Sequence, residues 1–196
     1  TPITVEANST QFQKSQEQEK SNENSIGLGF GYSPSDNLSQ FPQESVLMWW
    51  NYSNRYGLGY ILSNYSVGVC FNDTSRIIMD PTERFVQYYS HPHGEIELIN
   101  SSEYNQDDLD SIQALPHRKK VMLVKGFASH LKKKAEPYIN SQVIEMYRKE
   151  TDEQLENRLK NTIMPYVKYW SVDPNDGILF RFNDKSLHVI FTDKTS

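Results

Sequence analysis

The chain has 196 residues, a hydrophobic fraction of 37% and a formal charge of −5 at pH 7. That length supports one ordinary domain or two small ones, and the acidic balance, with a pI near 5.5, argues against nucleic acid or an anionic membrane as partner of the whole protein. The lone cysteine, Cys70, forms no internal disulfide and favours a reducing compartment, and no apolar run reaches membrane-spanning length.

Residues 1–44 are rich in Gln, Asn, Ser and Glu, as in QFQKSQEQEKSNENS. Such composition buries too little apolar surface to offset the entropy of ordering, so this stretch reads as a disordered low-complexity linker. It contributes to the low mean hydropathy of −0.68. The chain begins at Thr1 and not at Met, and it reads as a piece of a longer protein.

From Val46 the signal is β. Val46–Trp50, Gly57–Leu62, Ser66–Phe71, Arg76–Met79, Phe85–Tyr89 and Glu95–Ile99 are six short apolar runs. Turn residues such as Asn64-Tyr65 and Asn72-Asp73-Thr74-Ser75 separate them, which predicts an antiparallel meander. Ser101 to Ser111 is acidic and loop-like. From Arg118 to Ala135, Val121, Val124, Phe127, Ala128 and Leu131 recur every three or four residues between lysines. That spacing predicts an amphipathic helix whose apolar face covers the sheet, ended by Pro137. Glu150 to Lys160 reads as a second, charge-laced helix. The β signal then returns in Tyr166–Ser171, Ile178–Phe182 and Leu187–Phe191.

These last three strands repeat the first three. Trp49-Trp50, Tyr60-Ile61-Leu62 and Val67–Phe71 run in the same order as Tyr169-Trp170, Ile178–Phe182 and Leu187–Phe191, with glycine and Asn-Asp punctuation between them. A three-stranded sheet without a helix is marginal, so the second copy reads as incomplete. The resulting division is 1–44 linker, 45–136 first unit, 137–162 linker with a helix, and 163–196 the start of a second unit.

No glycine-rich phosphate loop or catalytic triad has a usable context. Gly27-Leu28-Gly29-Phe30-Gly31 lies in the linker with no strand before it and no helix after it. His91-Pro-His93-Gly-Glu95-Ile-Glu97 has the spacing of a two-histidine-one-carboxylate metal site. Pro92 and Gly94, however, make it a hairpin turn with solvated histidines, and no metal or other cofactor is assigned. The basic set His117-Arg118-Lys119-Lys120, Lys125 and Lys132-Lys133-Lys134 reads either as a solvated helix face or as a surface for anionic ligands such as phosphopeptides. Trp49, Trp50, Tyr52 and Tyr56 alternate with polar residues. Pattern alone leaves open whether they fill the core or face a groove suited to a peptide.

At these aromatics the chain resembles the polo box, the C-terminal recognition module of polo-like serine/threonine kinases. The resemblance is carried by Trp49-x-Asn-Tyr52-Ser53-Asn-Arg-Tyr56-Gly57-Leu58-Gly59-Tyr60 and by Ser66-Val67-Gly68-Val69-x-Phe71-Asn72-Asp73. It continues through Val121-Met122-Leu123-Val124-Lys125-x-Phe127 and Met164-Pro165-Tyr166-Val167-Lys168-x-Trp170. The resemblance implies an α+β fold: a six-stranded antiparallel sheet with a packed helix, then the first strands of a second such unit. It implies a region that binds phosphoserine or phosphothreonine peptides of cell-division proteins and so targets and regulates a kinase. The alternative is a phosphate-independent dimerisation or docking scaffold. This chain carries no catalytic motif, and the resemblance assigns ATP-binding and kinase activity to the parent protein.

The resemblance further implies that Trp49 grips the peptide, that Leu123 and Val124 meet it through backbone, and that Tyr52 and Tyr56 line an accessory apolar pocket. The family holds phosphate with a His and a Lys two residues apart. Here Lys194 stands at the first position and Ser196 at the second, which leaves Lys194 as a single point charge. Further implied partners are the protein's own kinase domain and a second polo box, with no nucleic acid and no membrane. The implied location is intracellular, in cytoplasm and nucleus, with targeting to centrosome, spindle pole or kinetochore.

Overall fold

The computed structural model describes residues 26–28, 44–104, 115, 117–138, 141–173 and 177–191. Seven strands form one antiparallel sheet in chain order: β1 (Ile26–Leu28), β2 (Val46–Tyr52), β3 (Gly57–Leu62), β4 (Val67–Phe71), β5 (Arg76–Met79), β6 (Phe85–Tyr89) and β7 (Ile96–Asn100). The expected six-stranded meander is β2 to β7. The seventh strand, β1, comes from within the stretch read as linker and pairs with β2. Helix α1 (Arg118–Ala135) follows with the predicted bounds. Helix α2 (Ser141–Arg148), which the sequence pattern did not reveal, and α3 (Asp152–Asn161) lead to a second antiparallel sheet, β8 (Val167–Asp173), β9 (Gly177–Phe182) and β10 (Leu187–Phe191).

Strands β3 to β6 are buried along their whole lengths. Strand side chains alternate between faces, so both faces of this sheet must be covered. On one face Ile61, Val67, Val69, Ile77, Met79 and Val86 pack under Val121, Val124, Phe127, Ala128 and Leu131 of α1. On the other, Leu58, Tyr60, Leu62, Cys70, Ile78 and Tyr89 meet Leu155 and Leu159 of α3 and Val167, Ile178, Phe180 and Phe182 of the second sheet. Each fully buried aliphatic or aromatic side chain contributes about 1.5–3 kcal/mol, so the second unit is a structural half of the core of the first. Cys70 is a core residue: burial pushes its thiol up to about 11, and Sγ–H points at Val167 O, 3.4 Å away.

Buried polar groups fix how the two units meet. Gln87, fully buried, donates from Nε2 to the carbonyls of Leu159 (2.9 Å) and Thr162 (2.7 Å) and accepts at Oε1 from the Met164 amide at 2.9 Å. Arg76 donates from Nε and Nη2 to Lys168 O at 3.2 and 3.1 Å, while its Nη1 caps the β4–β5 turn through the carbonyls of Thr74 and Ser75. Arg84 reaches the α2–α3 junction, donating to the carbonyls of Tyr147 and Glu150 and pairing with Asp152 at 2.7 Å. At that junction Thr151 and Gln154 form a reciprocal capping box that starts α3.

The internal repeat is conformational as well as sequential. In Asn64-Tyr65-Ser66, Asp73-Thr74-Ser75 and Asp184-Lys185-Ser186 the central residue has positive φ (72°, 71° and 75°). In all three the first side chain accepts from the serine amide, at 3.0, 3.1 and 2.8 Å. In each case the left-handed residue closes a three-residue hairpin loop, 63–65, 72–74 and 183–185, whose flanking residues are joined by Leu62 N–H to Ser66 O, Phe71 N–H to Ser75 O and Phe182 N–H to Ser186 O. Gly57 and Gly177 begin β3 and β9 with φ of 145° and 135°, and a Cβ on either would lie 2.0 Å from a carbonyl oxygen of the next strand, Cys70 O or Ile190 O. β2 and β8 carry matching bulges, at Val46/Met48 and Val167/Tyr169. Register corrects one detail of the sequence comparison. Trp49 lies opposite Tyr60 and Trp170 opposite Phe180, each partner three residues after its glycine, so Trp49 corresponds to Trp170 and not to Tyr169.

Candidate functional site

Strand alternation sends the two adjacent tryptophans to opposite faces of β2. Trp50 packs toward α1, against Phe127 at 5.5 Å and stacked on His130 at 4.2 Å. Trp49 points to the other face, edge-on to Phe180 of β9 at 5.7 Å, and is half-buried where the two units meet. The question left open by pattern is thus divided by two-residue periodicity.

The seam around Trp49 is built reciprocally. The amide freed at each bulge donates across it: Val46 N–H to His188 Nδ1 at 3.1 Å, and Val167 N–H to the Tyr60 hydroxyl at 2.9 Å. His188 therefore has to be unprotonated at Nδ1, and burial lowers its pKa from the ordinary 6.5. Sequence reasoning passed over His188. The available signal was a lone polar residue at an inward position of an apolar strand.

Tyr52 and Tyr56 do lie together, 5.4 Å apart, and Tyr56 is 40% exposed. The file is longer than expected, because Trp50 stacks on Tyr52 at 5.4 Å and His130 on Trp50. Trp50 Nε1 and His130 Nε2 have no hydrogen-bond partner among the described residues. Burial first, then Lys134 and Lys133, lower the His130 pKa from 6.5. Gly126, exposed on α1, leaves open space where a side chain would stand.

Leu123 and Val124 occupy the middle of α1, with Val124 fully buried and Leu123 packed on the same core. Mid-helix amides and carbonyls are spent on the helical ladder, so these two residues have no backbone to offer a peptide strand, and the expected pairing through them is withdrawn. Lys194 and Ser196 lie outside the described residues.

The remaining constellations are largely absorbed by packing. Lys120 pairs with Asp73 at 2.7 Å and donates to Ser75 and Tyr88; Lys132 pairs with Glu83 at 2.7 Å and donates to Pro81 O. His117 stacks on Tyr88 at 3.9 Å and meets Glu97 at 2.8 Å. These contacts clamp α1 to the sheet, leaving Lys119, Lys133 and Lys134 exposed. The His91-His93-Glu97 spacing does not close into a ligand set. His93 contacts Tyr169 and Lys168 of β8, each at 3.0 Å, whereas Glu97 turns to His117. Among the described residues no group of three or more His, Cys, Asp or Glu could hold a metal ion, and no helix is long and apolar enough to cross a membrane.

Residues 54–135, the sheet from the β2–β3 turn onward together with α1, match the family model of the polo box duplicated region. The chain is 29% identical over 154 residues to a probable serine/threonine-protein kinase, CCRP1, of Zea mays, which covers 76% of this chain and 21% of that protein. It is 39% identical over 86 residues to the serine/threonine-protein kinase plk-1 of Caenorhabditis elegans, covering 44% of this chain and 12% of the relative. The chain thus spans only a small part of either relative. Among solved structures it is similar to the budding yeast Cdc5 polo-box domain in complex with an Spc72 phosphopeptide, at a TM-score of 0.49 and 17% identity, covering 84% of this chain and 53% of that one. Residues 54–135 are thus matched by the polo box model, and over part of its length the chain is similar to polo-like serine/threonine-protein kinases.

Proposed function

We propose that this chain is the targeting region of a polo-like kinase and binds peptides carrying phosphoserine or phosphothreonine in the seam between its two units. The observation that carries the reading is Trp49: a half-buried indole on β2, the strand next to the sheet edge, facing the second unit beside a matched polo box. An extended peptide that takes the place of β1 can pair with such a strand through its backbone while one side chain packs on the indole. Tyr52, Tyr56, Trp50 and His130 provide an accessory aromatic surface, and Lys194 is the group proposed to approach the phosphate. Through such peptides the region would bring its kinase to cell-division proteins at centrosome, spindle pole or kinetochore, and contact with the kinase domain would restrain it.

The test is binding of a Ser-phosphoThr peptide and its unphosphorylated twin to this chain. Preference for the phosphopeptide, with a loss of tenfold or more on Trp49→Ala, supports the reading. Equal affinities, or no change on Trp49→Ala, reject it. A second reading, self-association, is favoured by β10, whose Leu187, Val189 and Phe191 are 55%, 42% and 75% exposed on one face of an uncharged edge strand. A mass by light scattering that rises with concentration, and falls to the monomer on Phe191→Lys, would support it.

A further inference from the structure

β2 has two edges, and neither is free at Trp49. The inner edge pairs with β3 from Val46 to Tyr52. On the outer edge His188 takes the Val46 amide, and β1 pairs with the next stretch: Leu28 opposite Met48, Gly27 opposite Trp49 and Ile26 opposite Trp50. An extended peptide that added to β2 so as to reach Trp49 would need those same three residues.

We infer that β1 is an internal pseudo-ligand. Its backbone occupies the edge of β2 that a peptide strand would use, so the chain holds its own peptide site closed until a better strand displaces it. This inference rests on the reading of Trp49 as the peptide-gripping residue. Two features of β1 suit it to displacement. It is three residues long, against seven in β2 and six in β3, so it makes few ladder hydrogen bonds. In addition, directly opposed residues of an antiparallel pair project to the same face, and the residue opposite Trp49 is glycine. β1 therefore pairs with the backbone of β2 while its residue opposite the indole carries no side chain. A peptide that pairs in the same register and carries a side chain at that position gains a contact β1 lacks.

Occupation of this kind lowers apparent affinity by the fraction of chains with the edge open. Releasing a strand that is closed in most molecules therefore tightens binding several-fold. The experiment uses the chain and two variants. The first, Ile26→Pro with Gly27→Pro, removes an edge-facing amide whichever way the strand alternates. The second, Gly27→Val, strengthens β1 and fills the position opposite Trp49. Hydrogen exchange at Met48–Trp50 without peptide reads occupation of the edge, and anisotropy of a labelled Ser-phosphoThr peptide reads affinity. The double-proline variant should exchange faster there and bind about three- to tenfold tighter. Gly27→Val should exchange more slowly and bind more weakly. Unchanged exchange in the double-proline variant, or faster exchange with unchanged or weaker affinity, overturns the inference alone. Binding by none of the three chains overturns the reading at Trp49 and this inference with it.

Discussion

Replacing Gln87 by leucine separates hydrogen bonding from space-filling at the centre of the molecule. The two side chains are similar in size, so no large cavity opens, but four partners change state. The carbonyls of Leu159 and Thr162 and the Met164 amide lose their partner, and the Tyr89 hydroxyl, 3.2 Å from Oε1, loses its acceptor. A buried polar group left unpaired costs about 1–3 kcal/mol. The Thr162 contact is only partly buried, so water can recover part of the loss there. The expected destabilisation is about 3–5 kcal/mol, a large share of the 5–15 kcal/mol typical of a domain. Three of the four partners belong to the segment entering the second sheet, so the damage falls on docking of the second unit. Urea unfolding should be followed by far-ultraviolet dichroism and by tryptophan fluorescence, since Trp49 and Trp170 both pack in the core between the units. In the variant the fluorescence transition should move to lower urea than the dichroism transition. A loss below about 1 kcal/mol with coincident transitions would refute the claim that Gln87 specifies the packing of the units.

Gly57→Ala should destabilise by about 2–4 kcal/mol, because φ is 145° and the new methyl would stand 2.0 Å from Cys70 O; a thermal midpoint within two degrees of the parent would refute the assigned clash. His188 gives a pH dependence of definite sign. Its folded pKa lies below 6.5, so as pH falls through 6.5 the unfolded chain takes up a proton before the folded one does. The stability it contributes is present above that pH and declines below it. His188→Gln retains an acceptor for Val46 N–H without titrating, and the slope of stability between pH 7 and pH 5 should flatten by urea titration. An unchanged slope assigns the titration elsewhere.

Most of the fold was legible because its signals are local. Strand alternation, hairpin punctuation and the three-and-four spacing of Val121, Val124, Phe127 and Leu131 are properties of short windows, and they gave β2 to β7 and α1 within a residue or two. The exceptions are instructive. β1 has no alternating pattern to announce it, since a three-residue strand is held by its neighbour's edge and not by its own composition. α2 lies between Pro137 and the charged run that follows, where propensity was ambiguous. At the candidate site, His188 and His130 were not accessible from sequence, because each acquires its surroundings from a partner far along the chain: Val46 in one case and Trp50 in the other. The assignment of Leu123 and Val124 failed for the converse reason. The helix that the same residues predict consumes the backbone on which their role depended.

By itself, then, the sequence determined the strands β2 to β10, which is the covering helix, and that the strand–glycine–strand pattern occurs twice. These follow from steric and solvation preferences acting over a few residues. Only the tertiary structure decided that Trp49 and Trp50 part company across one sheet, that Trp49 corresponds to Trp170, and that β1 sits on the edge beside the indole. Those outcomes depend on register and on which surfaces meet, and register is set by pairing between segments whose separation along the chain carries no local signal.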